Sequence, residues 1–177
     1  MPRGALGLSE LAKHGFSELS QAKVELEARG VAPDVFDGAA NPDRALHWWG
    51  VLHDAHPSAL DALSSDPASQ RRLATLLGAS EGLAEFFRRH PDQWAFTKTP
   101  PVPPAERTEL IARLRAAVTD SVDAPRDLRV AYRTELARIA LWDITRDQPI
   151  DAVEEVARAL ADLADALRGL AGPRGAR

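Results

Sequence analysis

Residues 128–143, LRVAYRTELARIALWD, carry the pattern that decides the fold. Leu128, Tyr132, Leu136 and Ile139 recur at intervals of three and four. That spacing lines them up on one side of an α-helix and on no single face of a strand. Arg129 and Arg133, with Arg126 just before them, make a basic stripe, and Arg138 stands further round. Guanidinium forks suit phosphates and acidic surfaces alike. A charged run on a helix is more often a solvated face, and spacing alone favours that reading.

The same grammar extends outward. Residues 119–126 read as a loop into this helix, and residues 105–118 as a helix with Leu110, Ile111, Leu114 and Val118 on its apolar face. Before it lies FTKTPPVPP, residues 96–104, whose four prolines remove amide donors and push their neighbours into extended backbone. This is a stiff connector between an N-terminal helical region, residues 1–95, and a second one, residues 105–170. In the first region Ser17 is placed to cap a helix reaching Arg29 and stopped by Gly30. Asn41-Pro42 and Asp66-Pro67 are cap-plus-proline starts, and the second of these helices ends at Gly78. Pro57 opens a short turn of helix, while Ser80 caps a helix that Pro91 closes after His90. Downstream, Pro149 opens the last helix. There Val153, Val156, Leu160, Leu163, Leu167 and Leu170 form an apolar seam, with the pairs Glu154–Arg158 and Asp165–Arg168 on the outer face. Residues 171–177 read as a flexible tail. The expected class is all-α, a multi-helix, bundle-like domain.

Bulk composition agrees. In 177 residues, 45% are hydrophobic, 27% charged and only 6% aromatic, and abundant Ala and Leu favour helix. A net charge of −4 argues against a nucleic-acid partner, which calls for a basic face. With no cysteine there is no disulfide and no thiolate metal site. The N-terminal apolar run is broken by Ser9, Glu10 and Lys13, so it is no secretory core. No window reaches the roughly 18 apolar residues of a membrane span. The expected compartment is the cytoplasm.

The candidate chemistry is sparse. His53 and His56 stand three apart, the spacing of two imidazoles on one helix face, but no third metal ligand is apparent. His14, His47 and His90 are isolated and default to surface or interface positions. Trp48 and Trp49 point about 100° apart on a helix, so one is expected in the core and the other partly exposed. Nucleotidyl transfer needs carboxylates that jointly hold Mg²⁺, usually an Asp-x-Asp on a strand, and no two aspartates stand two apart. Glu25 and Glu27 do so among the glutamates, on different faces of a helix. From the residues alone, no catalytic, cofactor-binding or metal-binding residue can be assigned.

The ordered set of motifs resembles the glutamine synthetase adenylyltransferase/adenylyl-removing family. Leu11-Ala-Lys-His-Gly-Phe16, Leu76-Leu-Gly-Ala-Ser80, Arg89-His-Pro-Asp-Gln-Trp94, the helix of residues 128–143 and the helix of residues 153–167 resemble successive family segments. The resemblance implies the N-terminal helical part of the adenylyl-removing half of a bifunctional enzyme. It also implies glutamine synthetase and the PII signalling protein as partners, with ATP and Mg²⁺ as requirements of the full-length family. The family's Gly-x-Gly-Lys loop and Ser-Asp-x-Asp strand have no counterpart here, so the chain is expected to be a fragment, inactive alone, with no cofactor of its own. The rival expectation is a free-standing helical adaptor that binds a protein partner without catalysis.

Overall fold

The computed structural model describes residues 7–146 and 149–171, and it contains no strand among them. The chain is all-α. It divides into two compact units, one running to Pro100 and the other starting at Pro101.

The first unit contains α1 (Leu8–Lys13), α2 (Leu19–Arg29), α3 (Pro42–Ala55), α4 (Pro57–Asp61), α5 (Pro67–Ala79) and α6 (Glu81–Arg89), with 3-10 segments Pro33–Phe36 and Pro91–Lys98. The starts of α3, α5 and α6 follow the polar residues that cap them. The Asn41 side chain accepts from the Arg44 amide, Asp66 from the amides of Ala68 and Ser69, and Ser80 from that of Leu83. Gly30 ends α2 in the left-handed conformation at φ 64°. Ser17 does not cap α2. Instead the Asp43 carboxylate of α3 accepts from the amides of Ser17 and Glu18, at 2.8 and 3.2 Å, so the start of α2 is satisfied from a neighbouring helix.

α3 and α5 pack closely in the middle of this unit, burying Leu46, Trp49 and Leu52 with Leu73, Leu76 and Leu77. Phe36 bridges Phe16 and Trp49 edge-on, at 5.8 Å to each ring. The proline-rich stretch starts later than its composition suggests, because Phe96, Thr97 and Lys98 complete the 3-10 segment. Thr97 is wholly buried, and its carbonyl accepts from the Ser69 hydroxyl at 3.1 Å and Arg72 Nε at 2.5 Å. Tertiary anchoring holds those residues in a turn that local sequence does not announce.

The second unit contains α7 (Arg107–Val118), α8 (Ala124–Ile144), a 3-10 turn Pro149–Ala152 and α9 (Val153–Ala171). α7 starts at Arg107 rather than residue 105, since Glu106 is still extended after the prolines. α8 starts at Ala124, so Arg126 is helical. Asp123 caps it by accepting from the Arg126 amide, and Ser121 bonds Asp127 at 2.6 Å. Pro149 opens the 3-10 turn, and the α-helix proper begins at Val153. The three helices pack pairwise around Leu110, Leu114, Ile139, Leu163, Ala159 and Ala166, flanked by Leu128, Tyr132 and Leu136.

α9 is rotated from the expected seam. Its inward residues are Val156, Ala159, Leu163, Ala166 and Leu170, continued by Ala152, whereas Val153 and Leu160 are exposed. The alanines explain the turn: small side chains let α9 approach two helices at once, where a leucine seam would hold it further off. The expected tail lies outside the described residues, apart from Ala171 at the end of α9. No described helix is long and apolar enough to cross a membrane.

Candidate functional site

The end of α2 meets α3 through a single guanidinium. Gly50 leaves bare backbone on α3, and Arg29 lies across it so closely that a Cβ at position 50 would sit 2.6–2.8 Å from the guanidinium atoms. Arg29 Nη1 donates to Asp54 at 2.9 Å, while its Nε is buried without a partner. That hydrogen bond, aided by the charge, holds the Asp54 carboxyl below its ordinary value, with His53 Nδ1 a further 3.6 Å neighbour. Beside this clamp opens a cavity of about 410 Å³ lined by Arg29, Asp34, Trp49, His53, Asp61 and Gln70. Its lining includes the Trp49 indole and charged groups of both signs. Because Arg29 is already neutralised by Asp54 and two more carboxylates stand on the rim, the cavity suits a small polar molecule and not a polyphosphate.

The histidine pair does not converge. His56 lies beyond the end of α3, at the junction with α4, and its Nε2 is 2.6 Å from the Arg88 carbonyl, with Trp94 edge-on at 6.3 Å. Among the described residues, no group of three His, Asp or Glu side chains is placed to hold a metal ion. Trp49 is in the core and Trp48 is half-buried against His47, 5.7 Å away. His14 Nδ1 meets Asp37 at 2.7 Å, joining the end of α1 to the loop after the first 3-10 segment.

In the second unit, Arg126, Arg129 and Arg133 are exposed on the first half of α8, and none makes an ion pair with a described residue. Arg138 differs. It reaches Glu135 at 3.5 Å, and Glu135 also accepts from Arg113 Nη1 at 2.9 Å while Arg113 Nη2 holds Glu109 at 2.6 Å. Glu135 is buried, so it needs both cations. Burial works against the charge on Arg113, but its bonds to the two glutamates outweigh this and raise its pKa. Arg138 therefore belongs to the packing, and the other three arginines form a free cationic face.

Sequence reasoning missed Arg29, Gly50 and Asp54. Their association depends on where α2 crosses α3, and no local spacing encodes a crossing.

Comparison with known proteins gives a consistent set of relatives. The chain is 34% identical over 182 residues to the bifunctional glutamine synthetase adenylyltransferase/adenylyl-removing enzyme of Leifsonia xyli subsp. xyli, covering 94% of this chain and 18% of that protein. The enzymes of the same name from Streptomyces coelicolor and Streptomyces avermitilis are 34% and 33% identical, over 88% and 89% of the chain. The chain thus spans less than a fifth of the length of these curated relatives. No family model matches it, and no solved structure does.

Proposed function

This chain belongs by sequence to the bifunctional glutamine synthetase adenylyltransferase/adenylyl-removing family, of which it spans one segment, and from that premise we propose that it is the N-terminal helical part of the adenylyl-removing half. In this reading the segment does no chemistry by itself. Its two helical units buttress a nucleotidyltransferase core elsewhere in the polypeptide and shape the surface that receives adenylylated glutamine synthetase. ATP and Mg²⁺ serve the whole enzyme, and the PII signalling protein is its regulator. The observation that carries the reading is the 34% identity sustained over 94% of the chain.

Within this role the exposed Arg126, Arg129 and Arg133 face is the natural electrostatic contact with an acidic surface, since three unpaired guanidinium groups share one side of a rigid helix. The experiment is direct. The purified 177 residues are incubated with adenylylated glutamine synthetase, phosphate and Mg²⁺, and released nucleotide is measured. No turnover is expected, and measurable turnover contradicts a non-catalytic role.

A further inference from the structure

In the second unit, Arg113, Arg138 and Arg168 each follow an acid by three or four residues on their own helix and bond it. The partners are Glu109 at 2.6 Å, Glu135 at 3.5 Å and Asp165 at 2.5 Å. The row on α8 departs from that habit. Three and four residues to either side, Arg129 has Arg126 and Arg133, Arg133 has Arg129, and neither has an acid. Like charges at that spacing repel. Arg126 also stands in the first turn of α8, where the helix dipole disfavours a cation. Arg115, exposed as well, stands in the last turn of α7, where the dipole favours one. A solvated helix face alternates its signs, and this one does not. A local rule broken without gain inside the chain marks a functional surface.

Resting on the reading of this face as a contact, we propose that Arg126, Arg129 and Arg133 dock an acidic helix of a partner protein, one guanidinium to each of three carboxylates. The three lie within about 60° of one another around the axis and rise by about 4.5 and 6 Å from one to the next. Acids at steps of three and four on a second helix rise by the same amounts, whereas alternate residues of a strand stand about 6.6 Å apart throughout. The chain's own carboxylates set the length of the row. Asp120 and Asp123 precede it, and Asp127, bonded to Ser121 at 2.6 Å, is turned about 100° from Arg126. Beyond Arg133, Glu135 is held by Arg113 and Arg138, and Asp143 follows about 15 Å along the axis. A phosphate backbone running past the row would meet Asp120 and Asp123, against a net charge of −4. A helix with three acids on one face ends its charge where the row ends.

Fluorescence anisotropy tests this, with the full chain titrated into a labelled helical peptide that bears three glutamates at steps of three and four. Binding is expected at low salt, weakens as salt rises, and is absent for the same peptide with glutamines. The triple variant Arg126→Gln, Arg129→Gln, Arg133→Gln weakens it by about tenfold or more, while Arg115→Gln leaves it unchanged. Because like-charge repulsion is relieved, the triple variant keeps its helical circular dichroism and its unfolding midpoint does not fall. Should it lose helix, Arg129→Gln and Arg133→Gln taken singly give the same readout. None of these measurements involves AMP, so failure here is distinct from failure of the family role. Absence of peptide binding, equal loss on Arg115→Gln, tighter binding of single-stranded DNA through the same arginines, or self-association of the chain through them overturns the proposal.

Discussion

At Gly78 an added methyl group would lie 2.9 Å from Ala39 Cβ and 3.0 Å from the Asn41 carbonyl, neither of which can swing aside. At Gly50 the obstacle is instead the guanidinium end of Arg29, a flexible side chain that can shift by leaving Asp54. Both glycines sit in helices, where alanine gains about 1 kcal/mol of propensity. Gly78→Ala is therefore expected to destabilise by about 1–3 kcal/mol, the usual cost of overpacking. Gly50→Ala, also at a buried site, is expected to cost less, about 1 kcal/mol or under, because the gain in helix propensity offsets most of the loss of the Arg29–Asp54 bond. Urea unfolding midpoints compare the two. Gly50→Ala also releases Asp54 from Arg29, so the Asp54 pKa should rise toward its ordinary value in an NMR titration. A third residue, Glu85, couples fold to pH. Hydrogen bonds from Arg88 and then Arg89 hold its pKa down to about 2, against an ordinary 4.5. A depressed carboxylate adds stability that is fully present above 4.5 and is lost as pH falls toward 2. The unfolding midpoint should decline across that window, and Glu85→Gln should flatten its share of the decline.

Among the elements, helix starts were legible where an Asx or Ser cap stands directly before the helix, as at Asn41, Asp66 and Ser80. Asp123 caps α8 just as well, but its proline follows one residue later, so from sequence that start reads as loop. Ser17 misled for the opposite reason, since the residue that satisfies the start of α2 is Asp43, remote in sequence. The face of α9 shows the limit of periodicity. Two stripes of equal period lie side by side, and choosing by side-chain size picks leucines, whereas close packing on two helices picks alanines. Substitution separates them. Leu163→Ala should cost about 2–5 kcal/mol, as for a fully buried leucine. Leu160→Ala should cost well under half as much in thermal or chemical unfolding. Equal costs would mean that the stripe called outer is part of the core. Of the candidate site, the sequence revealed the free arginine face of α8 but not the Arg29 clamp, which exists only once α2 crosses α3.

For the whole molecule, composition and periodicity lead only to two all-α units. The step to a family came from the order of motifs such as Leu76-Leu-Gly-Ala-Ser80 and Arg89-His-Pro-Asp-Gln-Trp94 along the chain, each soft when taken singly. The structure gives those motifs physical content. Gly78 permits the close approach of α5 to α3, Ser80 caps α6, and Trp94 packs edge-on to Phe87 at 6.4 Å. They are fold determinants, which is why they identify a relative without exposing a reaction. The proposed role of this segment, in the removal of AMP by a longer enzyme, can be tested in a relative. The direct measurement is to delete the matching segment from the Leifsonia xyli relative and assay both addition of AMP to glutamine synthetase and its removal. Removal is expected to be lost while addition persists. Removal that survives the deletion, or loss of both activities together, would contradict it.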